Sequence, residues 1–183
     1  MYLFVKLSED GAPSAVSDTA GVLLGLEIPF FYRALHEIRF LELGLFHLAG
    51  ALIVWASTDI AAYFVDSKWG ATPLAPKVSP HKTLEGALGG ITAGVVLLNV
   101  FSWPCSRLVT IHFGRIWVYA ATASVAGQLG DLSMSAIKRI AGVKDFGHIL
   151  PGHGGILDRF DSLLYILPYT YLFYWIVGPL VSR

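Results

Sequence analysis

The sequence predicts an all-α fold: a polytopic integral membrane helix bundle of about four spanning helices plus a short N-terminal helix. Three observations carry that expectation. Of the 183 residues, 55% are hydrophobic and only 14% charged, and mean hydropathy is +0.61, so too little polar surface exists to cover a soluble globule. Several apolar stretches approach the roughly 20 residues that cross about 30 Å of hydrocarbon. Two polar segments, 66–85 and 133–161, break the apolar sequence, and the second packs basic residues, a glycine-rich turn and three aspartates together.

A short helix is expected at 20–32, where Glu27 and Pro29 interrupt the apolar run and leave it interfacial or partial. The first span is 44–65 (GLFHLAGALIVWASTDIAAYFV), and the second is 86–103, stopped by Pro104. A weaker third, 113–132, carries Arg115 and Asp131, which belong at interfaces or against protein and water. The fourth, 163–181, holds Pro168 and a tyrosine- and tryptophan-rich composition, both tolerated in membrane helices. Gly86, Gly89, Gly90 and Gly94 on one segment, and Ala120, Ala121, Ala123, Ala126 and Gly127 on the next, predict close helix contacts. The chain therefore divides into an incomplete N-terminal, interfacial segment (1–43) and a membrane domain (44–183) that contains the polar segments.

Formal net charge is zero, so no basic surface invites nucleic acid. The lone cysteine, Cys105, excludes an internal disulfide and reads as packing. The first residues, MYLFVKLSEDGAPSA, break before a signal-peptide core is reached. Lys68, Lys77 and Lys82 in one polar segment, and Lys138, Arg139, Lys144 and Arg159 in the other, share one membrane face if the second and third spans form a hairpin. The positive-inside tendency makes that face cytoplasmic, although Arg33, Arg39, Arg107 and Arg115 fall opposite.

Chemistry is expected where these segments meet. Asp158 and Asp161 in DRFD lie on one helical face, and Asp131 ends the third span at the same interface. Mg²⁺ is commonly held by one or two carboxylates plus substrate phosphates, so these aspartates suit it; helix capping explains any one of them equally well. The PGHGG turn puts His153, Gly154 and Gly155 ahead of a helix start, a place that favours phosphate, although such turns also merely reverse the chain. Lys138, Arg139, Lys144 and Arg159 suit a triphosphate or lipid phosphate, or else serve topology. In the other loop, Ser79, Lys82, Thr83 and Glu85 suit phosphates and hydroxyls, with Thr83 or Ser79 as a simple N-cap the alternative. Asp59 lies inside an apolar span at a cost of about 2.5–3.5 kcal/mol, so it must face protein, water or a cation. His47 and His148 read as structural.

The stretch SAIKRIAGVKDFGHILPGHGGILDRFD at 135–161 resembles the signature of the phosphatidate cytidylyltransferases, also called CDP-diacylglycerol synthases. A second similar stretch runs from Asp59 through Ala62-Tyr63-Phe64 and Gly70 to Leu74-Ala75-Pro76-Lys77, Ser79-Pro80, Lys82-Thr83 and Glu85-Gly86. The resemblance implies a multi-pass membrane enzyme with its active site on the cytoplasmic side. It would join CTP to phosphatidate, or a similar lipid phosphate, to give CDP-diacylglycerol and pyrophosphate with Mg²⁺, a second cation such as K⁺ being compatible. The implied partners are these substrates, the bilayer and a second copy of the chain in a homodimer. Asp131 and Asp158 look like the family's metal pair, with Asp161, Lys138 and Arg139 catalytic. Asp59, Ser79, Lys82, Thr83, Glu85, Lys144, His153, Gly154, Gly155 and Arg159 are the expected substrate contacts.

Three positions depart from the family pattern: His81 where lysine is usual, Asp66 where glycine is usual, and Met134 where glutamate commonly precedes the signature serine. The family also carries further N-terminal spans, so the chain is expected to match its later half. The competing expectations are a related lipid or polyprenol kinase or cytidylyltransferase, an inactive paralogue, and a membrane protein whose aspartates line an ion path.

Overall fold

The computed structural model describes residues 13–140 and 157–183. Its helices, in chain order, are α1 (Pro13–Phe40), α2 (Gly44–Trp69), α3 (Leu84–Cys105), α4 (Phe113–Ile140), the single turn α5 (Leu157–Phe160) and α6 (Leu163–Ile176). Four short strands join them: β1 (Pro73–Ala75) and β2 (Ser79–Thr83) form an antiparallel hairpin, and β3 (Thr110–Ile111) pairs with β4 (Val181–Ser182). The helical expectation holds, with two small strand pairs added to it. The first arises where Pro73, Pro76 and Pro80 hold the chain out of helix, and a Val78 N–H to Ala75 carbonyl bond closes the turn.

Two helices, α2 and α3, are long and apolar enough to cross a membrane, with mean hydropathy 1.6 over the best window of each. Their outward faces keep Leu52, Ile60, Leu97 and Val100 exposed. A soluble core helix would bury such residues, whereas hydrocarbon solvates them. The third apolar segment is longer than expected: α4 runs 28 residues, and the polar segment expected from 133 begins as helix through Ile140. The fourth is shorter. Helix α6 ends at Ile176, because Gly178 takes φ 110° and turns the chain, so Val181 and Ser182 pair with Ile111 and Thr110. The second span passes its expected stop, with Pro104 inside the last turn of α3.

The N-terminal helix is also longer than the expected 20–32, spanning 28 residues with Pro29 inside it. Packing overrides the interruption. Ile38 is fully buried and packs with Phe31 and Leu35 against Ala51 of α2 and Leu163, Ile166 and Leu167 of α6. A second cluster joins Val54, Leu98, Tyr119, Ala123 and Phe173 across α2, α3, α4 and α6.

The expected small-residue stripe is where α3 meets α2. Gly86, Gly90 and Gly94 are buried at successive i, i+4 positions, and a Cβ on Gly90 would sit 2.8 Å from the Thr58 carbonyl oxygen. That spacing leaves room for helix backbones alone. Beside it the Thr58 and Ser124 hydroxyls meet at 2.8 Å, a polar link between α2 and α4. His47 is structural, as expected: its Nε2 accepts the Leu180 N–H at 3.1 Å, so Nδ1–H donates to the Leu43 carbonyl at 3.2 Å.

Candidate active site

One end of the bundle is organised by the hairpin. Ala75 and Val78 are buried against Leu132 and Ala136 of α4, which docks the β1–β2 turn on that helix. The other edge is tied to α2, where Asp66 Oδ1 accepts both the Thr83 N–H (3.0 Å) and the Thr83 hydroxyl (2.6 Å). Thr83 in turn caps α3 by accepting the Gly86 N–H at 3.1 Å. Glu85 closes the preceding loop, accepting the Ala71 and Thr72 N–H groups and the Thr72 hydroxyl.

This docking carries Lys82 of β2 to Asp131 of α4, and the two form an ion pair. Asp131, Ser135 and Lys138 follow at i, i+4 and i+7, one face of a helix. Two turns beyond Asp131, the Lys138 ammonium lies 2.9 Å from Asp158 and 3.7 Å from Asp161, the i, i+3 pair on α5 and just after it. Burial and the neighbouring Asp131 carboxylate push the Asp161 carboxyl above the usual carboxylate range, against the pull of Lys138. On α2, Asp59 accepts the Ser162 hydroxyl at 2.8 Å, and that oxygen accepts the Trp55 indole N–H at 3.1 Å.

Trp55, Asp59, Lys82, Asp131, Asp158 and Asp161 line one cavity of about 800 Å³, open between α2, the hairpin, α4 and α5. Its polar floor carries Asp131, Asp158, Asp161 and Lys82, while Ala56, Ile60 and Tyr63 of α2 form an apolar wall. Asp59 marks its depth. It stands about 15 Å along the axis from the end of α2, at 1.5 Å per residue, so the polar cleft reaches well down this apolar helix.

The sequence matches the cytidylyltransferase family over residues 3–177. The chain belongs to that family. It is 44% identical over 153 residues to the phosphatidate cytidylyltransferase of Bacillus subtilis, covering 83% of this chain and 55% of the relative. Similarity to the Thermotoga maritima phosphatidate cytidylyltransferase is 39% over 142 residues, covering 74% and 53%. The Staphylococcus aureus protein of the same name is 41% identical over 150 residues, covering 79% and 53%. The chain spans about half the length of these curated relatives.

Within this family member, the expected site residues fall into three groups. Asp59, Ser79, Lys82, Thr83, Asp131, Asp158, Arg159 and Asp161 line the cavity, and Lys138 binds its aspartates from the side. Glu85 and Arg139 do not line it: Glu85 serves the loop, and Arg139 is exposed. Lys144, His153, Gly154 and Gly155 lie outside the described residues, as does His148, expected to be structural. Sequence reasoning missed Trp55, Gln128 and Ser162. Ser162 is 1% exposed and its hydroxyl is aimed at Asp59. Adjacency to Asp161 was its one available signal.

Among the described residues, no group of three or more His, Cys, Asp or Glu side chains is placed to hold a metal by itself. The donor chemistry nonetheless suits Mg²⁺. That ion takes hard oxygens, typically one or two carboxylates completed by substrate phosphates, and Asp131 and Asp158 present carboxylates to one cavity. Met134, at the position where family members commonly carry glutamate, is fully buried with Ile137 and Leu164 and faces away from the cavity into an apolar cluster.

Proposed function

We propose that the chain joins CTP to phosphatidate, giving CDP-diacylglycerol and pyrophosphate, at the cytoplasmic end of a polytopic bundle of about four spans. Residues 44–183 form the catalytic membrane domain, assembled as a homodimer. One observation carries the reading: a single cavity combines a carboxylate-and-lysine floor with an apolar wall made by a spanning helix. A lipid phosphate needs both, since its headgroup is anionic and its chains stay in hydrocarbon.

In this reading a phosphatidate phosphate oxygen attacks the CTP α-phosphorus, the new P–O bond forming as the bond to the β-phosphate bridging oxygen breaks. The nucleophile is already an anion, so no side chain must act as a strong base. Asp131 and Asp158 would hold Mg²⁺, which when bound neutralises phosphate oxygens and the leaving pyrophosphate. Lys82 and Ser79 would approach the phosphates from the hairpin and Arg159 from α5, with Lys138 behind Asp158. The apolar wall keeps bulk water from competing with the lipid oxygen.

The continuity of α2 through Asp59 and of α4 through Asp131 favours this reading over an ion path, which commonly places its ligands at broken helices. Labelled CTP supplied to purified protein in lipid micelles, with and without EDTA, tests it. Label from the α-phosphate is expected in CDP-diacylglycerol and lost with EDTA. Transfer of only the γ-phosphate to a lipid alcohol would make the protein a kinase instead.

A further inference from the structure

The charges on the cavity floor are already paired. Lys82 is bound to Asp131, both side chains 26% exposed, and Lys138 is shared between Asp158 and Asp161 in a drier place. Each carboxylate proposed for a divalent cation is therefore engaged by an ammonium that suits phosphate equally well. A lysine is a compact charge on a flexible four-carbon stem, so it changes partners without a backbone movement. A dication that takes a carboxylate repels an ammonium held at the same oxygens. An incoming triphosphate faces the opposite difficulty, since the lysines it needs are committed to aspartates.

We propose that Lys82 and Lys138 are resident counter-cations of this cavity. They neutralise Asp131 and the Asp158–Asp161 pair while it is empty and transfer to the phosphates when nucleotide arrives, so that divalent cation and nucleotide bind as a pair, each weakly without the other. The proposal rests on the reading of this cavity as the site of cation and CTP. It adds a coupling: the cation takes the carboxylates that the lysines vacate, and the phosphates take the lysines. The two transfers balance charge only when they occur together.

The full chain in detergent micelles supplies the test. Mn²⁺ alone is titrated and followed by electron paramagnetic resonance; CTP in EDTA is titrated separately by calorimetry. Lys82→Met is expected to bind Mn²⁺ about tenfold tighter and CTP in EDTA about tenfold weaker, within the usual range of coupling between sites. Lys82→Gln keeps much of the side chain's length and a hydrogen-bond donor and should show the same opposed shifts, while Lys82→Arg stays near wild type in both. A merely structural role for Lys82 would weaken both ligands together. If Mn²⁺ affinity is unchanged or weaker in Lys82→Met and Lys82→Gln, while Asp131→Asn abolishes it, the exchange is wrong and the cation site stands. If Asp131→Asn and Asp158→Asn leave Mn²⁺ and CTP binding untouched, the underlying reading of the cavity falls with it.

Discussion

Lys138 reaches Asp158 at 2.9 Å, and this contact holds the C-terminal turn of α4 to the single-turn helix α5. The side chains are only 11% and 9% exposed, so neither charge is left to water. Lys138 also faces Asp161 at 3.7 Å, so neutralising Asp158 leaves the ammonium a second carboxylate, whereas losing Lys138 takes a counter-charge from two poorly exposed aspartates, a loss of about 3 kcal/mol or more. Lys138→Met should lower the thermal midpoint of the detergent-solubilised protein more than Asp158→Asn does. The double variant should lose less than the sum of the two, because one carboxylate is then already neutral. A simple sum of the two single losses would show that the pair is not coupled.

Ser162 connects α2 to the start of α6 by donating to Asp59 and accepting from Trp55. Ser162→Ala leaves the Asp59 carboxylate and the Trp55 indole each without that partner, at about 1–3 kcal/mol for a buried group. Turnover is expected to fall about tenfold through kcat with KM for CTP little changed, since Asp59 loses orientation rather than charge. Steady-state kinetics across CTP concentration separate the two parameters.

Gly90 lets α3 lie against α2. A methyl group there would meet the Thr58 carbonyl oxygen, which is backbone and cannot swing aside. Gly90→Ala should destabilise the α2–α3 pair by about 1–3 kcal/mol, as overpacking does. Gly114, whose missing Cβ faces open space, is the matched control: Gly114→Ala should leave the midpoint unchanged or raised. Parallel thermal melts read both.

The apolar runs announced α2 and α3 nearly to their ends, because span length and hydropathy are local properties. Where tertiary contacts decide, sequence misled. Pro29 reads as an interruption, yet Phe31, Leu35 and Ile38 find partners on α2 and α6, and α1 continues through it. The end of the fourth apolar run reads as span, but Gly178 turns it and the last residues find a strand partner in Thr110 and Ile111. The aspartates were legible as a group by residue type and position. Lys82 and Lys138 were legible as site residues too, but their pairing with the aspartates was not, since Lys82 and Asp131 are brought together only by the docking of Ala75 and Val78 on Leu132 and Ala136. Ser162 and Trp55 were invisible for the same reason: their contacts cross between helices far apart in the chain.

Met134 illustrates the same limit from the other side. The resemblance puts Met134 where glutamate is expected, and three residues after Asp131 is the same broad helical face, yet Met134 packs against Ile137 and Leu164. Ser135 and Lys138 are the ones that reach the aspartates.

The account depends on Asp131 and Asp158 acting on the same phosphates from one cavity. Turnover of Asp131→Asn and Asp158→Asn, measured as α-phosphate label passing from CTP to phosphatidate beside wild type, tests that most directly. A loss of about a thousandfold or more in each is expected for removal of a charge that stabilises the transition state. Near wild-type turnover in both variants would contradict it.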